Sequence, residues 1–538
     1  MPGVTYEREV AFTPHGPLVY HVLRGPRPTG LYALKPVLSN DAVVGRERVT
    51  QMQRRLTATA TVAGVNGDLF NWNVGYPSGI LMLNGVLASP PHAERSSTGI
   101  AADGSLVVDR VKFNGTWQGV GQRRPLVLNK QPSAGGVAVY TPTWGPTTPP
   151  GTDTVELVLT PFPAAQPLRD LAGTVVSAKQ GGGTPIPPNG AVLVGRGASG
   201  AGKLAAEAPV GTNVTVRLIL TPDWSALPDA IGGGPVLVRQ GRPVFRANEV
   251  FTLDQLVPRQ PRSAVGQTAD GKIILATADG RRPGYSVGVT NFELALLMMR
   301  LGAYTASALD GGGSATMAFE GKLLNRPSDP TGERPIAESL NLLYYGVHAP
   351  AVAEDVVSPN GDGVAERQTL AYKVVRPSSV NARLVGPDGS QQVLEAGSNA
   401  PDTYRFTWAG PGAEGTWRFV VDATDDLGRA SSAERTFSVN STLAALRMLT
   451  PTARRSVPLR ASFTLSRPAQ VRAAILSANG ALYRALPARA LGAGPQTLTW
   501  NGRTAYGSFV RTGRYQLRIT AQNEIGSVSQ TAPFSFRR

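Results

Sequence analysis

Short runs of alternating hydrophobic and polar residues recur along most of the chain. Clear examples are TVELVLT at 154–160, NVTVRLILT at 213–221, KIILATA at 272–278 and RFVVDAT at 418–424. A period of two places successive side chains on opposite faces of a strand, and many of the hydrophobic residues are β-branched. Glycine and proline, with 61 and 44 residues, separate the runs. The pattern predicts a chain built mainly of short β-strands.

One stretch, VTNFELALLMMRLGA at 289–303, has the periodicity of a helix instead. Thr290 and Glu293 have the spacing of a capping box, and Gly302 fits the C-terminal end. Hydrophobic residues three, four and seven positions apart give one apolar face, formed by Leu294, Leu297, Met298 and Leu301. TASAL at 305–309 then predicts a buried strand. Asp310 is therefore expected at the rigid end of a strand.

The composition changes after His348, where two similar stretches of about 90 residues follow each other. Each contains strand-like runs, a turn with Asp-Gly or Asn-Gly, and a tryptophan, Trp408 or Trp500. This spacing is typical of immunoglobulin-like β-sandwiches. We therefore predict an N-terminal β extension over 1–44 and an α+β catalytic domain rich in β-strands over 45–348. Two immunoglobulin-like β-sandwich domains are predicted over 349–440 and 441–538.

The formal charge of +16 is concentrated at the end of the chain. Residues 441–538 contain 14 arginines, no lysine and one acid, Glu524, a net charge of +13. This charge favours an anionic partner such as an envelope polymer. No zinc-finger, RNP or basic-zipper pattern accompanies it, so a specific nucleic-acid partner is not expected. A basic composition that only keeps the domain soluble is the alternative.

The residue types that are absent or scarce exclude several kinds of site. Cysteine is absent, which excludes disulfides, thiolate metal ligands and cysteine nucleophiles. The four histidines are not at metal-ligand spacing. No apolar run is long enough for a transmembrane helix, and MPGVTYEREVAF lacks the basic and apolar regions of a signal peptide. We expect an extracellular or cell-envelope protein whose leader has been removed or lies upstream, with the cytoplasm as the alternative.

The motif GRGASG at 195–200 fits the dinucleotide pattern G-x-G-x-x-G after the strand-like run AVLV. That pattern requires a helix directly afterwards and an acid about 20 residues further on. Pro209 and Gly211 interrupt the segment, and a strand-like run follows. The sequence therefore predicts no nucleotide-binding fold here.

Two glycine triplets carry the strongest chemical signal. In ALDGGGSATM at 308–317, Asp310 precedes three glycines and a serine: Gly311, Gly312, Gly313 and Ser314. AIGGGPVLV at 230–238 contains the second triplet, with Gly233 and Gly234. Glycines after a strand leave several N–H groups available to one anionic oxygen. The three glycines therefore predict a close approach to the backbone.

Further candidates have ordinary structural interpretations when they are taken singly. Arg262 and Arg281 carry the planar fork that binds phosphate through two bonds. VNGDLFNW at 65–72 supplies Asn66 and Asp68, and ADGR at 278–281 supplies Asp279. Asn-Gly and Asp-Gly pairs are also ordinary hairpin turns, and Glu293 also fits a role as a helix cap alone.

Taken together, the motifs resemble the phosphodiester glycosidase family over residues 45–348. The order is NGDLF, GYPSGILMLNG, VYTPTWG, IPPNGAVLVGRG, AIGGGPVLVRQG, PRSAVGQT, ADGRRPGYSVG, the helix, ALDGGGSATM and ESLNLLYYGV. The resemblance implies a hydrolase that cleaves the bond between a sugar's anomeric carbon and a phosphodiester, as in a GlcNAc-1-phosphodiester of an envelope glycopolymer. The two C-terminal repeats resemble the immunoglobulin-like repeats of flagellar-hook-capping proteins.

A glycosyl phosphodiester is anionic, and its glycosidic bond calls for two carboxyl groups near the anomeric centre. We assign Asp310 as the central carboxylate, with Asp279 or Glu293 as the second and Asp68 as an alternative. The glycine N–H groups, Arg262 and Arg281 are expected to hold phosphate, and Asn66 and Ser314 to bind sugar or phosphate. Nucleophile and base are not distinguished by spacing. No cofactor is required, although a divalent ion on Asp310 or Asp68 is an alternative.

The segment SPNGDGVAE at 358–366 opens the first repeat and carries oxygen ligands suited to calcium, namely Asn360, Asp362 and Glu366. The later ligand positions of an EF-hand loop are missing, so a structural calcium ion and a plain turn are both consistent with it. Three other functions compete with the enzyme: a non-catalytic carbohydrate- or phosphate-binding protein, a surface adhesion protein and a nucleic-acid-binding protein.

The charge of the last domain generates a testable prediction. Deleting residues 441–538 should weaken binding to an anionic polymer, and the lost binding should be the salt-sensitive part, because screened charge contacts disappear with the arginines. Binding to teichoic-acid-coated beads at two salt concentrations measures the effect. Unchanged binding after the deletion would reject an anionic-partner role.

Overall fold

The computed structural model describes residues 1–410 and 412–538, which form two compact units, Gly3–Tyr345 and Gly346–Arg538. Strands dominate both units, as the alternating pattern predicts. The described chain contains four α-helices and two short 3₁₀ turns: Val49–Leu56, Gly197–Glu207, Leu253–Leu256, Asn291–Arg300, Ser39–Asp41 and Gly312–Ser314. No helix in this described part combines the length and apolarity that crossing a membrane requires.

Two sheets of the first unit share one hydrophobic core and frame the candidate site. The strands of the seven-stranded sheet are, in order, Thr5–Thr13, Gly16–Gly25, Ile273–Ala278, Arg262–Gln267, Thr305–Ala308, Val236–Arg239 and Arg242–Pro243. Those of the five-stranded sheet are Lys322–Leu323, Met317–Phe319, Thr61–Asn66, Glu338–Tyr344 and Tyr32–Leu38. Leu275 from the first sheet and Leu340 from the second belong to the same buried cluster.

The predicted helix is confirmed over Asn291–Arg300, and it begins as the capping box requires. The Thr290 hydroxyl accepts a hydrogen bond from the Glu293 N–H at 3.1 Å, and the Glu293 carboxylate accepts one from the Thr290 N–H at 2.8 Å. Leu294 and Met298 are buried against the seven-stranded sheet. The strand Thr305–Ala308 follows, so Asp310 lies just beyond a strand end, as expected.

The rest of the first unit is a closed barrel and a second five-stranded sheet. The barrel strands are Arg124–Leu128, Val137–Tyr140, Ala191–Arg196, Thr154–Leu159, Asp170–Gln180, Asn213–Thr221 and Lys112–Gln118. The sheet strands are Val86–Ser89, Leu81–Leu83, Asp229–Ile231, Ser96–Ile100 and Leu106–Arg110. Trp117 and Leu218, both fully buried, belong to the barrel core.

The glycines of GRGASG have a packing role in this barrel. A helix does follow the strand, over Gly197–Glu207, and the expected strand comes after Pro209 and Gly211, at Asn213–Thr221. The preceding strand Ala191–Arg196 is paired antiparallel on one side with Thr154–Leu159 inside the barrel, unlike the parallel strand of a dinucleotide fold. A Cβ on Gly195 would lie 2.5 Å from the Gly200 carbonyl oxygen. The glycines thus let the helix approach the strand closely.

The prediction of an α+β catalytic domain was wrong, because the first unit is a mostly β structure with a closed barrel. Its longest helix has 11 residues, and no layer of helices forms. The one strong helical pattern, at 289–303, accounts for only one short helix, and the alternating runs fill the remainder as strands. The predicted domain boundaries inside the chain stay predictions.

The second unit consists of two β-sandwiches, each with its own core. The first contains Val356–Val357, Ala430–Val439, Gly415–Asp425, Ser378–Val385 and Gln391–Asn399 in one sheet, and Gln368–Val374 with Asp402–Trp408 in the other. The second contains Leu443–Met448, Leu459–Leu465 and Gly494–Trp500 in one sheet, and Thr452–Arg454, Ser527–Arg537, Gly513–Gln522, Ala469–Ser477, Leu482–Ala485 and Arg489–Leu491 in the other. Trp408 and Trp500, which mark the two repeats in the sequence, are buried in the respective cores.

Candidate active site

Asp310 is held at the junction of the two facing sheets of the first unit. Its backbone N–H donates to the Gly67 carbonyl oxygen at 3.0 Å. Its carbonyl oxygen accepts a hydrogen bond from the Asn66 side-chain amide at 2.8 Å, and the Asn66 side-chain oxygen accepts one from the Thr316 N–H at 3.1 Å. Asn66 therefore ties the end of its own strand to the loop around Asp310.

The surroundings of the Asp310 carboxyl raise its pKa moderately. Burial raises the pKa of Asp310 to about 6, because few water molecules solvate the carboxylate. A hydrogen bond from the Ser314 hydroxyl, one from the Gly311 N–H at 2.8 Å and the positive charge of Arg334 all act in the opposite direction. The group is consequently mostly ionised at neutral pH.

Asp68 follows the strand Thr61–Asn66 and lies in a space that two glycines leave open. Its side chain is buried, and a Cβ on Gly232 would lie 2.1 Å from its Oδ2 atom. A Cβ on Gly79 would lie 2.5 Å from the same atom. Any larger residue at Gly79 or Gly232 would therefore collide with the carboxyl group. The triplet in AIGGGPVLV thus makes room for an acid rather than only exposing N–H groups.

The pKa of Asp68 is higher than that of Asp310. Burial raises it to about 7, and the negative charge of Asp310 adds to the increase. Hydrogen bonds from the backbone N–H groups of Leu69 and Gly79 and the charge of Arg95 lower it. The Oδ1 atom has no hydrogen-bond partner among the described residues. Asp68 is therefore close to half protonated at neutral pH.

Glu338 is a third acid at this junction and was missed by the sequence analysis. It begins the strand Glu338–Tyr344 and is buried, and its Oε1 atom accepts a hydrogen bond from the Asp68 N–H at 2.9 Å. Burial first, and then the charge of Asp68, raise the pKa of Glu338 well above its usual range. The signal in the sequence was an acid at the head of the otherwise apolar run SLNLLYY.

A cleft of about 350 Å³ opens beside Asp310. Arginine, glycine and amide residues make up most of its wall. The lining residues are Leu69, Gly234, Pro235, Phe251, Asp254, Gln255, Gln260, Arg262, Arg281, Asn291, Leu309, Asp310, Gly311, Gly312, Gly313 and Arg334. Asp254, in the short helix Leu253–Leu256, is thus a second carboxylate residue in the wall. No motif in the surrounding sequence singled it out.

Arg262 and Arg281 bring positive charge to this wall. The buried Arg262 donates to the backbone carbonyl oxygens of Val289 at 2.8 Å, Pro258 at 3.1 Å and Leu256 at 3.2 Å. Burial, and then the neighbouring charge of Arg281, lower the pKa of Arg262 to about 10. Neither arginine forms an ion pair with an acid within the described residues. Two cations without a charged partner favour an anionic ligand in the cleft.

The three glycines after Asp310 line the cleft and also accommodate arginine side chains. Gly312 has φ of +62°, a conformation that favours glycine, and a Cβ there would lie 3.1 Å from the Arg281 guanidinium. A Cβ on Gly313 would lie 2.0 Å from both Arg334 and Asp329. Arg334 itself is paired with Asp329 through two hydrogen bonds of 2.7 and 2.9 Å.

The structure brings most of the predicted site residues together. Around Asp310 and Asp68 lie Asn66, Gly233, Gly234, Arg262, Arg281, Gly311, Gly312, Gly313 and Ser314. Ser314 contacts Asp310 from a buried position, and Gly233 packs against the Ala308 carbonyl oxygen, where a Cβ would lie at 2.6 Å. Neither of these two residues lines the cleft itself.

Asp279 does not line this cleft, and its carboxylate is already saturated. It accepts hydrogen bonds from the ring of His21 at 3.1 Å, the hydroxyl of Tyr285 at 2.9 Å and the side-chain amide of Asn325 at 3.0 Å. The Arg326 N–H adds a fourth at 3.2 Å. The role of Asp279 is consistent with fixing these segments rather than with contacting a substrate.

Glu293 also lies outside the lining of the cleft. Its carboxylate caps the helix through the Thr290 N–H and forms an ion pair with Arg259. Glu293 is therefore the helix cap that the sequence left open, and its charge is in addition paired with Arg259. Of the four candidate catalytic acids, Asp310 and Asp68 are the two that this site brings together.

The segment around Asn360 forms a turn in which side-chain oxygens accept backbone hydrogen bonds. Asn360 accepts one from the Asp362 N–H at 3.2 Å, Asp362 one from the Val364 N–H at 2.9 Å, and Glu366 one from the Gly363 N–H at 3.2 Å. No group of three or more histidine or acidic side chains is arranged to hold a metal ion anywhere in residues 1–410 and 412–538. Calcium binding at this turn stays a prediction.

Comparison with known proteins supports the resemblance on which these assignments rest. Residues 170–343 match the family model described as phosphodiester glycosidase, and residues 451–524 match that of the FlgD Ig-like domain. The predicted resemblance to these two families is therefore confirmed over these two ranges.

Individual relatives are similar over limited stretches. Human N-acetylglucosamine-1-phosphodiester alpha-N-acetylglucosaminidase is 37% identical over 68 residues, which is 13% of this chain and 13% of the human protein. The SPbeta prophage-derived uncharacterized protein YomE of Bacillus subtilis (strain 168) is 37% identical over 108 residues, 20% of this chain and 16% of that protein. This chain therefore spans less than a fifth of the length of either relative. A hypothetical protein from Synechocystis has a similar fold, with a TM-score of 0.54, 26% identity, and coverage of 64% of this chain and 62% of that one.

The buried acids make the stability of the protein depend on pH in a definite direction. Because the pKa of Asp68 is about 7 in the folded state against an ordinary 3.8, the folded protein keeps a proton that the unfolded chain releases. The contribution of Asp68 to the free energy of unfolding should therefore fall as pH rises from about 4 to about 7. In Asp68→Asn this contribution to the slope should be lost, which urea unfolding at several pH values measures.

Asp270→Asn is the matched control for this experiment. The pKa of Asp270 is lowered to about 2, chiefly by its hydrogen bond with Lys272, so it titrates below the interval in question. Its replacement should leave the slope between pH 4 and 7 unchanged. Burial requires that the Asp68 carboxyl keep its proton in the folded state. If the plots of unfolding free energy against pH are parallel for wild type and Asp68→Asn, the carboxyl does not keep that proton, and this account of Asp68 is wrong.

Proposed function

We propose that the first unit hydrolyses the glycosidic bond of sugar-1-phosphodiesters of the GlcNAc-1-phosphodiester type. The observation that carries the proposal is the position of Asp310, a partly buried carboxyl with a raised pKa, in a cleft walled by Arg262 and Arg281. The match of residues 170–343 to the phosphodiester glycosidase family supports the same reaction. The human relative's name describes an enzyme of this type.

The arginine wall would bind the phosphodiester. Such a group carries one negative charge on two free oxygens, which accept charge-assisted hydrogen bonds from guanidinium N–H groups. In Arg262 the Nη1 group is the one that the backbone carbonyl oxygens leave free. The Arg262 side chain is fixed by three carbonyl oxygens, so little side-chain freedom is lost when it binds a ligand. Arg334 is paired with Asp329 and contributes less net charge. The phosphate would thus lie between Arg262 and Arg281, next to the glycines.

Asp310 would act at the anomeric carbon. When water attacks, its oxygen bonds to that carbon, Asp310 takes its proton, and the bond to the phosphate oxygen breaks with the electron pair leaving on the phosphomonoester. When the carboxylate attacks, the phosphomonoester leaves in the same way, and water then displaces Asp310 from the sugar in a second step. The ionised Asp310 can serve in either role, as base for water or as nucleophile. A phosphomonoester is a stable leaving group and needs little help from an acid. Asp254 is the other carboxylate residue in the wall.

Asp68 and Glu338 would act on Asp310 rather than on the substrate. Both are buried, and the negative charges of the three carboxyls interact. When Asp68 and Glu338 hold protons, Asp310 can remain ionised without an adjacent negative charge. The pair therefore sets the protonation state of the reacting group.

The proposal includes the setting of the enzyme. A bacterial protein of the extracellular space or cell envelope would meet glycosyl phosphodiesters in wall and capsular polymers, which are polyanions. The net charge of +13 in residues 441–538 would hold the enzyme near such polymers. The alternative is a surface protein that binds the same ligands or mediates adhesion without turnover.

Turnover separates these two functions. Wild type incubated with a GlcNAc-α-1-phosphodiester should release reducing sugar and phosphomonoester in equal amounts. Asp310→Asn should lower kcat by about a hundredfold or more, because a neutral amide can neither attack nor accept a proton. Assays of reducing ends and of phosphatase-sensitive phosphate measure the two products.

Glu293→Gln is the matched control, since this acid lies in the same unit but outside the lining of the cleft. It should keep kcat within about threefold of wild type. Binding of the diester by both wild type and Asp310→Asn, with no product from either, would contradict the hydrolase and favour the binding protein.

A further inference from the structure

A second cavity adjoins the arginine-walled cleft and has the opposite character. It encloses about 570 Å³ and is lined mainly by apolar side chains. We refer to it as the apolar pocket. Its apolar members are Pro235, Val236, Leu237, Val244, Phe245, Ala247, Phe251, Leu253, Leu256, Val257 and Phe292. Its size falls in the range of sites that hold small organic ligands.

Several of the polar groups at the apolar pocket are already used by the fold, whereas the Oδ1 atom of Asn291 has no hydrogen-bond partner among the described residues. The Glu249 carboxylate accepts hydrogen bonds from the Ser96 N–H and the Val236 N–H, at 2.7 and 2.9 Å. The backbone oxygens of Ala247 and Asn248 accept from Arg110. The guanidinium of Arg246 lies over the Phe245 ring, and 11 of the 16 lining residues are apolar, so most of the surface suits a hydrocarbon.

Three large apolar side chains of the pocket are exposed to solvent. Phe245 is 71% exposed, Leu253 75% and Val257 61%. Single exposed apolar residues are common, but three around one cavity form a patch of the kind that binds ligands. The Phe245 ring meets the Phe292 ring edge-on at 5.0 Å, so the patch continues into the wall of the pocket.

The apolar pocket and the cleft are neighbours. Pro235, Phe251 and Asn291 line both cavities. A ligand whose anionic group lies between Arg262 and Arg281 therefore has an apolar space directly next to it. One molecule that fills both must be an amphiphile with an anionic group beside a hydrocarbon chain.

We propose that the apolar pocket binds the alcohol part of the phosphodiester, and that this alcohol is a long hydrocarbon chain. The inference rests on the proposed function, because it names the substrate class of the same site: glycosyl phosphodiesters of a lipid alcohol. Hydrolysis consumes one water, breaks the bond between the anomeric carbon and the phosphate oxygen, and yields a free sugar and an alkyl phosphate. The apolar pocket holds the chain of the alkyl phosphate throughout.

Alkyl phosphates test the apolar pocket without any turnover. Titration calorimetry of the full chain with ethyl and octyl phosphate, both below the concentration at which micelles form, gives the two Kd values. Octyl phosphate should bind at least about tenfold more tightly than ethyl phosphate, since the added methylene groups leave water. In the double variant Phe245→Ser with Leu253→Ser, the ratio of the two Kd values should approach one. Phe12→Ser, which replaces an apolar residue that is 87% exposed on another strand, should keep the wild-type ratio.

Equal affinity for the two phosphates overturns the pocket assignment. The same is true if the double variant keeps the wild-type ratio, because the chain then binds elsewhere. A parallel assay of GlcNAc-1-phosphate ethyl and octyl esters separates this inference from the proposed function. Chain-dependent binding without hydrolysis of either ester rejects the enzyme and keeps the pocket, whereas equal hydrolysis of both without chain-dependent binding rejects the pocket and keeps the enzyme.

Discussion

The burial of three carboxyl groups where two sheets meet is the constraint on which the candidate site depends. Asp68, Asp310 and Glu338 come from strand ends that are distant in sequence. Burial raises the pKa of all three, and the charges of neighbouring acids add to the increase at Asp68 and Glu338. An apolar junction would be easier to fold, because each buried charge loses its hydration. The fold accommodates the acids by placing glycines against them, as at Gly232 beside Asp68. A raised pKa at Asp310 follows from that packing.

The arginines complete the electrostatics from the other side of the cleft. Arg334 is neutralised by Asp329, while Arg262 is fixed by backbone carbonyl oxygens and keeps its charge available. Arg262, a cation without an ion pair among the described residues, suits a substrate whose phosphate is negative. The ionised Asp310, beside two buried acids with raised pKa values, suits an anomeric carbon that becomes positive as the bond breaks. The adjoining apolar pocket adds a hydrophobic surface next to the acids and arginines, where the alcohol part of a phosphodiester would lie.

Local signals in the sequence were sufficient for the strands, for the capped helix and for the position of Asp310. They were not sufficient for the layer architecture, since whether strands close into a barrel depends on pairings between distant segments. Glu338 was missed because an acid at the head of an apolar strand becomes significant only when a second acid packs against it. The sequence around Asp279 and Glu293 does not distinguish these acids from Asp310. The structure does, because the Asp279 carboxylate is hydrogen-bonded to His21 and the Glu293 carboxylate is paired with Arg259. The glycine triplets were noted for their N–H groups, but their contacts with Asp68 and Arg334 required the structure.

The site chemistry makes one claim that separates it from ordinary phosphodiester hydrolysis, namely that the bond between the sugar carbon and oxygen breaks. The most direct measurement is hydrolysis of a GlcNAc-α-1-phosphodiester in water labelled with heavy oxygen, followed by phosphorus NMR of the phosphomonoester. Cleavage at the anomeric carbon leaves the phosphate unlabelled, because the water oxygen enters the sugar. A phosphomonoester that carries the label would place the attack on phosphorus and contradict the role of Asp310 at the anomeric carbon.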